Sequence, residues 1–235
     1  MSDATGRLIL PQGEVLFADD FAYGLGKWRH EGIGRLEIVA HEQANRHALG
    51  RALRIDCTGS QQGGAGCHAF CVEDFPDGIA LEYDLFVHER NGLFITFIAM
   101  CGLRGEDMFS LPPRSGVFKD YTGEDALLRS YHVSVSRYDD EGAHTGVSNW
   151  RRNPGLHLVG QGPDLCKEIG RQYRMTIVKD GPHLQLGVDG TLAHEFVDPQ
   201  ELPDRLPEGG KFGFRAIGSK MIAEVSRVRV RKLRR

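Results

Sequence analysis

The feature that most constrains this chain is the brevity of its apolar segments, which glycine and proline interrupt at short intervals. The 235 residues include 30 glycines and 10 prolines, and almost no stretch has the 3.6-residue apolar period of an amphipathic helix. Short apolar or alternating segments separated by turn residues are typical of a β-sandwich or β-barrel. We therefore expect an all-β protein with only minor helical turns.

The predicted strands cover much of the chain. They are Glu14–Phe17, Leu36–Val39, Ala52–Asp56, Cys67–Val72, Ile79–Val87, Leu93–Met100, Ser130–Arg137, Ser148–Arg152, His157–Val159, Tyr173–Lys179, His183–Val188, Thr191–Val197, Gly210–Ala216 and Ile222–Arg231. The turn Val188–Thr191 predicts a β-hairpin, because its central Asp-Gly tolerates the positive φ angles of a type I′ turn. Short helical turns are predicted at Glu124–Arg129 and Pro199–Leu206.

The chain shows no linker, internal repeat or low-complexity segment, which indicates a single domain over residues 1–235. Within it, we expect a loose N-terminal segment at 1–12 and a basic tail at 232–235. Arg227, Arg229 and Arg231 share one face of the last predicted strand, which has the pattern of an exposed edge strand.

Charge and composition exclude several classes of protein. A net charge of −3 and a pI near 6.4 provide no general attraction for nucleic acids or acidic membranes. No apolar run reaches the ~20 residues that span a bilayer, and the first residues lack the apolar core of a secretory signal. The five cysteines, an odd number, favour buried thiols over a disulfide framework. We therefore expect a cytoplasmic protein.

Residues 128–162 carry the strongest indication of function. From residue 130 onward the side chains alternate between two sides of a predicted strand. The apolar side consists of Tyr131, Val133 and Val135, and the polar side of Ser130, His132, Ser134, Ser136 and Tyr138. The next polar segment adds Asn149, Arg151, Arg152 and His157. Side by side, these strands would bind a ligand rich in hydroxyls or carboxylates; an exposed hairpin with ordinary polar residues is the alternative.

Several blocks of the sequence together resemble the YesU-like family, a bacterial group described as a domain of unknown function. The blocks are WRHEGIG at 28–34, FPDGIALEYD at 75–84, GLRGEDMF at 102–109, YHVSVSR at 131–137, SNWRRNPGLHLVGQGPDL at 148–165, YRMTIVKD at 173–180 and GKFGFRAI at 210–217. The resemblance runs in order from about Phe21 to the end of the chain. It implies a two-sheet antiparallel jelly roll of the concanavalin A-like lectin/glucanase superfamily, with a concave ligand-carrying sheet.

The same resemblance implies a carbohydrate context, because YesU-like proteins are encoded among pectin-degrading genes. The family pattern matches Trp28, Arg29, Glu31, Asp84, Arg104, Glu106, Asp107, His132, Ser134, Asn149, Arg151, His157, Tyr173 and Arg174, none with an assigned role. The superfamily contains lectins, glycosidases, polysaccharide lyases and inert modules, so the fold alone does not select a function.

One hypothesis is lyase-type β-elimination on uronate-containing, pectin-like oligosaccharides. The reaction needs a group that neutralises the C5 carboxylate, a base for the C5 proton and an acid for the leaving oxygen. Arg151 and Asn149 suit the carboxylate, since a guanidinium binds it as a planar fork. His132 or His157 is the candidate base, and Tyr138 is the candidate acid. Within the same segment, Ser134 is a further candidate for substrate binding.

Two other functions stay open, and the residues do not decide whether the protein is an enzyme. A non-catalytic, lectin-like module would use the same face, with Trp150 or Trp28 stacking on sugar rings. A glycoside hydrolase would use Glu82 and Asp84. Retaining glucanases of this superfamily have a Glu-x-Asp-x-Glu run on such a strand. Here Phe86 stands in place of the third acid, so the usual partner of the nucleophile is missing.

The loop at 102–109 follows an apolar strand and so emerges at a sheet end, where binding loops tend to lie. Its candidate substrate-binding residues are Arg104, Glu106 and Asp107. An internally ion-paired loop is the alternative.

No cofactor is predicted, because the ten histidines lack a spacing that defines a zinc site. A structural calcium ion, common in this superfamily, would be held by Asp19, Asp20 or Asp198. The expected partner is an oligosaccharide, without nucleic acid or membrane. A homodimer through edge strands or sheet backs is compatible with such a fold.

Overall fold

The computed structural model describes residues 6–41, 50–58, 64–201 and 206–234. Its strands are β1 (Val15–Asp19), β2 (Trp28–Gly32), β3 (Arg35–Ala40), β4 (Arg51–Asp56), β5 (Cys67–Cys71), β6 (Ile79–Val87), β7 (Gly92–Gly102), β8 (Leu128–Tyr138), β9 (Val147–Asn153), β10 (His157–Pro163), β11 (Gln172–Asp180), β12 (His183–Val188), β13 (Thr191–Val197), β14 (Lys211–Ile217) and β15 (Ile222–Lys232). Its helical elements are a 3-10 helix, Met108–Ser110, and α1 (Lys119–Thr122). In this part of the chain no helix has the length and apolar character needed to cross a membrane.

The strands form two antiparallel sheets that pack face to face. One sheet has eight strands in the order β13-β12-β11-β6-β15-β4-β3, with β1 also paired to β15. The other has seven strands in the order β10-β9-β8-β7-β14-β5-β2. This arrangement confirms the predicted all-β, two-sheet antiparallel sandwich.

Each predicted strand is present, although several are longer than predicted and β2 was missed. The hairpin between β12 and β13 is confirmed, since Asp189 and Gly190 have φ angles of 52° and 78°. The helical turn predicted at Glu124–Arg129 is wrong. Pairing with the end of β7 draws Leu128 and Arg129 into β8, and the helix forms earlier, as α1. Residues 202–205 of the other predicted turn lie outside the described residues.

Alternation along the strands supplies the core between the sheets. On β6 the inward residues are Ile79, Leu81, Tyr83, Leu85 and Val87, all buried. The seven-stranded sheet contributes Trp28, Phe94, Tyr131, Val133, Trp150, Phe212 and Phe214. All five cysteine side chains are buried. The side chains that face away from this core are therefore the ones available to form a site.

The first and last described segments are fixed to the eight-stranded sheet. Ile9 N–H donates to Gln185 Oε1 at 2.8 Å, and Gln185 Nε2 donates to the Arg7 carbonyl at 3.1 Å. The described part of the segment predicted to be loose is therefore anchored to β12. At the other end, the edge-strand prediction is wrong, since β15 pairs with β6, β4 and β1. Alternating Arg and Val defines one buried face but not a position in the sheet.

A β-bulge changes the side on which the end of β8 faces. Val135 pairs with Phe94, but Tyr138 pairs with Gly92, so two residues of β8 oppose a single residue of β7. Ser136, the first residue of the bulge, has a φ angle of 50°. An extra residue in one strand reverses the alternation beyond it. Tyr138 therefore points to the side of Val135, away from the polar side predicted for it.

A buried polar network lies on the inner side of β8 and β9, behind the predicted site. Asp198 Oδ2 accepts from the Tyr131 hydroxyl at 2.6 Å and from Arg152 Nη1 at 3.3 Å. Its Oδ1 accepts from the Gln200 N–H at 2.9 Å. Tyr131 and Arg152 are paired residues of the two strands, so Asp198 binds both strands from the side of the core.

Because Asp198 is the acceptor of both a buried hydroxyl and a buried guanidinium, we expect Asp198→Ala to lower the free energy of unfolding by about 3–5 kcal/mol. Urea denaturation measures the change. Asp140→Ala, at an exposed turn position, is the control and should lie within about 0.5 kcal/mol of wild type. A loss below about 1 kcal/mol for Asp198→Ala would contradict a stabilising role for the network.

Candidate functional site

A row of mostly polar side chains crosses the outer face of the seven-stranded sheet. Directly paired residues of antiparallel strands point to the same side, and the register connects one residue of each strand to the next. From β2 to β10 the row is Glu31, His68, Arg215, Ile95, Ser134, Asn149 and Gln161. The neighbouring row is Arg29, Phe70, Gly213, Phe97, His132 and Arg151. Four predicted site residues, His132, Ser134, Asn149 and Arg151, thus share one face.

The part of this face on β8, β9 and β10 carries a polar strip, which we define as Ser134, Asn149, Arg151 and Gln161. Gln161 is exposed, and its Nε2 donates to Asn149 Oδ1 at 2.8 Å. Half-buried Arg151 donates from Nη1 to the Leu156 carbonyl at 2.6 Å. A hydroxyl, two amides and a guanidinium thus lie side by side, and these groups suit the hydroxyls and carboxylates of a sugar acid.

The rest of the face is covered by residues 108–122, the covering loop. Met108 and Tyr121 of the loop pack on Phe70, Ile95 and Phe97 of the sheet in a second apolar cluster. An ion pair holds the loop in place. Arg114 Nε donates to Glu31 Oε2 at 2.8 Å, and the Tyr121 hydroxyl donates to the same oxygen at 2.8 Å. The Tyr121 ring also stacks on His68, with centroids 4.3 Å apart.

Phe118 of the covering loop lies where the covered and open parts of the face meet. Its ring lies 4.4 Å from the Arg215 guanidinium carbon and 5.6 Å from the His132 ring centroid. His132 is 2 % exposed and Arg215 is 1 % exposed. A single aromatic side chain therefore contacts two buried polar side chains next to the polar strip.

His132 is neutral in this arrangement. Burial, followed by the positive charges of Arg151 and Arg215, lowers the pKa of His132 to about 3. Asn153 Nδ2 lies 2.9 Å from His132 Nδ1. Since an amide nitrogen only donates, Nδ1 accepts and Nε2 carries the ring proton. In this tautomer His132 offers Nε2–H as a donor to a ligand rather than a lone pair for proton abstraction.

Among the described residues, the two arginines beside His132 have neutral partners rather than carboxylates. Arg151 donates to the Leu156 carbonyl, and Arg215 Nη2 donates to the Gly64 carbonyl at 2.6 Å. In the described part of the chain, neither guanidinium forms an ion pair with a carboxylate. Burial lowers the pKa of Arg215 to about 10, which leaves it charged at neutral pH. This face therefore has a local positive charge, although the chain as a whole is slightly acidic.

Three residues predicted for the site face elsewhere. His157 pairs with the inward-facing Arg152, so it lies on the opposite side of the sheet from His132. Tyr138, beyond the bulge, donates its hydroxyl to the Lys167 carbonyl at 2.8 Å. Trp150 is fully buried in the core, and its ring has no free face for a sugar. The candidate acid Tyr138, the second candidate base His157 and the aromatic platform Trp150 therefore do not lie on the face that carries His132.

Arg104, Glu106 and Asp107 lie at an end of the sandwich and not on the polar strip. Arg104 and Asp107 line a cleft of 360 Å³ together with Asp74, Cys101, Gly105, Arg129, Glu208, Gly209 and Gly210. Glu106 Oε2 accepts from the Arg104 N–H, and Asp107 Oδ1 accepts from the Phe109 N–H, each at 2.9 Å. Backbone donors, its own first, hold the pKa of the Glu106 carboxyl below its ordinary value. Two of these three side chains therefore fix the loop itself.

Glu82 and Asp84 lie on the outer face of the eight-stranded sheet and are ion-paired. Arg174 lies 3.2 Å from both carboxylates. Arg231 lies 3.5 Å from Glu82, and Arg227 contacts Asp84. Both acids are therefore neutralised by arginines on the sheet opposite the polar strip, which argues against a nucleophile and acid pair.

No metal centre forms among the residues that the structure describes, where no group of three or more His, Cys, Asp or Glu side chains is placed to hold an ion. The carboxylates named for calcium accept hydrogen bonds from the protein. Asp19 accepts from the Phe21 N–H at 2.9 Å and from Trp28 Nε1 at 2.8 Å. Both oxygens of Asp198 are likewise occupied by protein donors.

The sequence interpretation missed Gln161, Phe118 and Arg215. Gln161 lies between Gly160 and Gly162, so the residues around it show no alternation of apolar and polar side chains that would indicate a strand. Arg215 alternates with Phe214 and Ala216 on β14, a pattern that indicates its outward direction. Phe118 gave no signal, because only the fold brings the covering loop onto the sheet.

We expect His132→Asn to reduce the amount by which the free energy of unfolding falls in acid. Between the pKa of about 6.5 for histidine in the unfolded chain and the pKa of about 3 in the folded protein, only the unfolded state binds the proton. The free energy of unfolding therefore falls as the pH falls through this window. The free energy of unfolding, measured by urea denaturation at several pH values from about 6 to 4, should therefore change less steeply with pH in His132→Asn. We expect its slope against pH to be smaller by up to about 1.4 kcal/mol per pH unit. An unchanged slope would contradict a neutral, buried His132.

The chain matches a known family and a known relative over most of its length. The model of the family described as "Domain of unknown function (DUF1961)" matches residues 20–230. The uncharacterized protein YesU of Bacillus subtilis (strain 168) is 31 % identical over 195 residues, which cover 80 % of this chain and 81 % of YesU.

Solved structures share the architecture. A protein of unknown function with a galectin-like fold from Bacillus subtilis has a TM-score of 0.79 at 27 % identity, over 96 % of this chain and 100 % of that one. The carbohydrate binding module CBM66 from Bacillus subtilis has a TM-score of 0.52 at 10 % identity, over 87 % and 95 % of the two chains. A β-glucanase of Bacillus licheniformis has a TM-score of 0.55 at 12 % identity, over 95 % and 100 %. At such low identity, the last two show the fold alone.

Proposed function

Because the chain belongs to the DUF1961 family, whose function is unknown, we propose a function from its own surface: it binds uronate-containing oligosaccharides on the polar strip. Family membership and the solved relatives confirm the YesU-like resemblance and the jelly-roll fold. The function itself is argued from side-chain chemistry. Structures of similar fold include a carbohydrate binding module and a β-glucanase, which makes a sugar a reasonable ligand for this architecture.

The observation that carries the proposal is a guanidinium without an acidic partner next to hydroxyl and amide groups. Arg151 is half-buried at the edge of the strip, and its hydrogen-bond partner among the described residues is the neutral Leu156 carbonyl. A uronate would place its carboxylate on Arg151 as a charge-assisted pair. Its ring hydroxyls would bind the amides of Asn149 and Gln161, which offer donors and acceptors together.

Binding is supported more directly than catalysis. With Nδ1 occupied by Asn153, the neutral His132 donates through Nε2, and such a donor suits a hydroxyl or carboxylate. The proposed general acid, Tyr138, is turned away by the bulge. The same residues can therefore bind a uronate, whereas the acid named for an elimination lies on the other side of the sheet.

Lyase-type β-elimination is the second candidate, and the charges around His132 favour it. Burial is the main cause of the low pKa of His132, and the charges of Arg151 and Arg215 lower it further. An anionic substrate between them would offset this effect and raise the basicity of the imidazole. In the reaction, a base would remove the C5 proton, the C4–O bond would break as the C4–C5 double bond forms, and the leaving oxygen would take a proton. His132 would act as that base only after the Asn153 amide turned and freed Nε2.

The binding proposal predicts that Arg151→Ala selectively lowers the affinity for acidic oligosaccharides. We expect this change to weaken binding of short oligogalacturonides by about 10- to 100-fold, the effect of one charge-assisted hydrogen bond. Asn149→Ala should weaken binding about 5-fold, as for a neutral hydrogen bond. Isothermal titration calorimetry measures both changes.

The matched control is Arg229→Ala, which removes an exposed arginine from β15 on the other sheet. It carries the same change of net charge and should leave the affinity unchanged. Equal losses in Arg151→Ala and Arg229→Ala would mean that only bulk charge attracts the ligand. No binding by the wild-type protein, with neutral and acidic oligosaccharides alike, would reject the proposed function.

The lyase candidate makes its own prediction. Incubation with oligogalacturonides would produce unsaturated uronate ends that absorb in the ultraviolet, and His132→Asn should remove this product. If binding is present and no absorbance develops, the protein is a binding module. Product formation that persists in His132→Asn would exclude His132 as the base.

A further inference from the structure

We propose that Arg215 is a second carboxylate-binding residue on this face, and that Phe118 of the covering loop is its removable cover. The occupant would be the carboxylate of a uronate. The inference relies on the proposed function for that identity, but not for the presence of an anion subsite. No pattern in the sequence singled out either residue for this role.

Arg215 carries a charge that is buried and unneutralised within the described part of the chain. Arg215 is 1 % exposed and, within the described part of the chain, has no ion pair with an acid. Its Nε–H is buried without a hydrogen-bond partner. A buried guanidinium in this state is costly. An unsatisfied buried group of this kind is rare in folded proteins, and a bound ion is one of the things that explain it.

The nearby acid, Glu31, is already engaged by other donors. Glu31 lies in the same row as Arg215, on the far side of His68. Both of its oxygens accept from Arg114, and one also accepts from the Tyr121 hydroxyl. Since Glu31 anchors the covering loop, it does not neutralise Arg215. An anion from outside the chain is the partner that this position lacks.

His68 is the neighbour of Arg215 in the row on the side of Glu31. The His68 ring is fully buried, and its Nε2 has no hydrogen-bond partner. Burial and the charge of Arg215 hold the pKa of His68 below its ordinary value, so this ring adds no charge. Its Nδ1 lies 3.3 Å from the Glu31 carbonyl and therefore donates to it. His68 therefore neither neutralises Arg215 nor competes with it for an anion, because its free Nε2 is an acceptor and its ring lies under Tyr121.

The cover depends on a side chain more than on the loop as a whole. The Arg114–Glu31 ion pair and the backbone bond from Phe118 N–H to the Gly64 carbonyl, at 3.1 Å, hold the loop backbone. The Phe118 side chain is half-buried and contacts Arg215 and His132. A change of its rotamer would uncover both residues without moving the backbone, and would join the subsite to the polar strip.

Removal of the cover should therefore expose the subsite. We expect Phe118→Ala to bind D-galacturonate at least ~10-fold more tightly than wild type, because the binding-competent state no longer competes with the covered one. Adding Arg215→Met should abolish this gain. D-galactose, which lacks the carboxylate, should show no gain in any variant. Calorimetric titration of wild type, Phe118→Ala and the double variant measures these affinities.

The matched control is Phe109→Ala in the same covering loop. Phe109 stacks on Arg29 and Lys211 instead of Arg215, so its removal should not change the affinity for D-galacturonate. A gain in Phe118→Ala that persists without Arg215, or no gain at all, would overturn the inference.

If Arg215 has only a structural role, a different result is expected. If the guanidinium mainly supports the Gly64 carbonyl, Arg215→Met should lower the melting temperature and leave the D-galacturonate titration unchanged. The subsite predicts the opposite result: an unchanged or raised melting temperature with lost binding. Should the Met variant fail to fold, Arg215→Lys in the Phe118→Ala background replaces it. There the subsite predicts weaker D-galacturonate binding, whereas an undiminished affinity would overturn it.

The outcomes also separate the subsite from the proposed function. If wild type binds no oligogalacturonide but Phe118→Ala binds D-galacturonate through Arg215, the proposed function fails and the subsite stands. If oligogalacturonides bind through Arg151 and Arg215→Met has no effect in either background, the proposed function stands and the subsite fails.

Discussion

The contact between the inner faces of the two sheets is the constraint on which the rest of the structure depends. Residues such as Phe94, Val133 and Trp150 must face the core, because the burial of apolar surface is what holds a sandwich together. Since successive residues of a strand point to opposite sides, the neighbours of these residues are turned outward. Ser134 and Asn149 reach the outer face for that reason, and the polar strip is a consequence of the core.

The covering loop divides this outer face into two chemically different parts. Beneath it, an apolar cluster surrounds His68, His132 and Arg215, and the low local polarity keeps both imidazoles neutral. Outside it, Gln161 and Arg151 meet solvent. The junction is the Phe118 ring, so a small movement there would change the exposure, and hence the charge balance, of the whole face.

Period-two patterns predicted most strands and placed His132, Ser134, Asn149 and Arg151 on one face. The failures have local physical causes. The bulge at Ser136 turned Tyr138 inward, and an extra residue in a strand leaves no mark in its alternation. His157 was assigned to the polar side from its residue type, but its pairing with Arg152 places it on the other side.

The sequence by itself determined that the chain is all-β, which residues of most strands are buried, and that β8 and β9 present polar side chains together, because these properties follow from local alternation and turn chemistry. Only the tertiary structure decided that β15 is central, that arginines on neighbouring strands neutralise Glu82 and Asp84, and that a loop covers Arg215. These features depend on contacts between segments far apart in the chain, for which no periodic pattern exists.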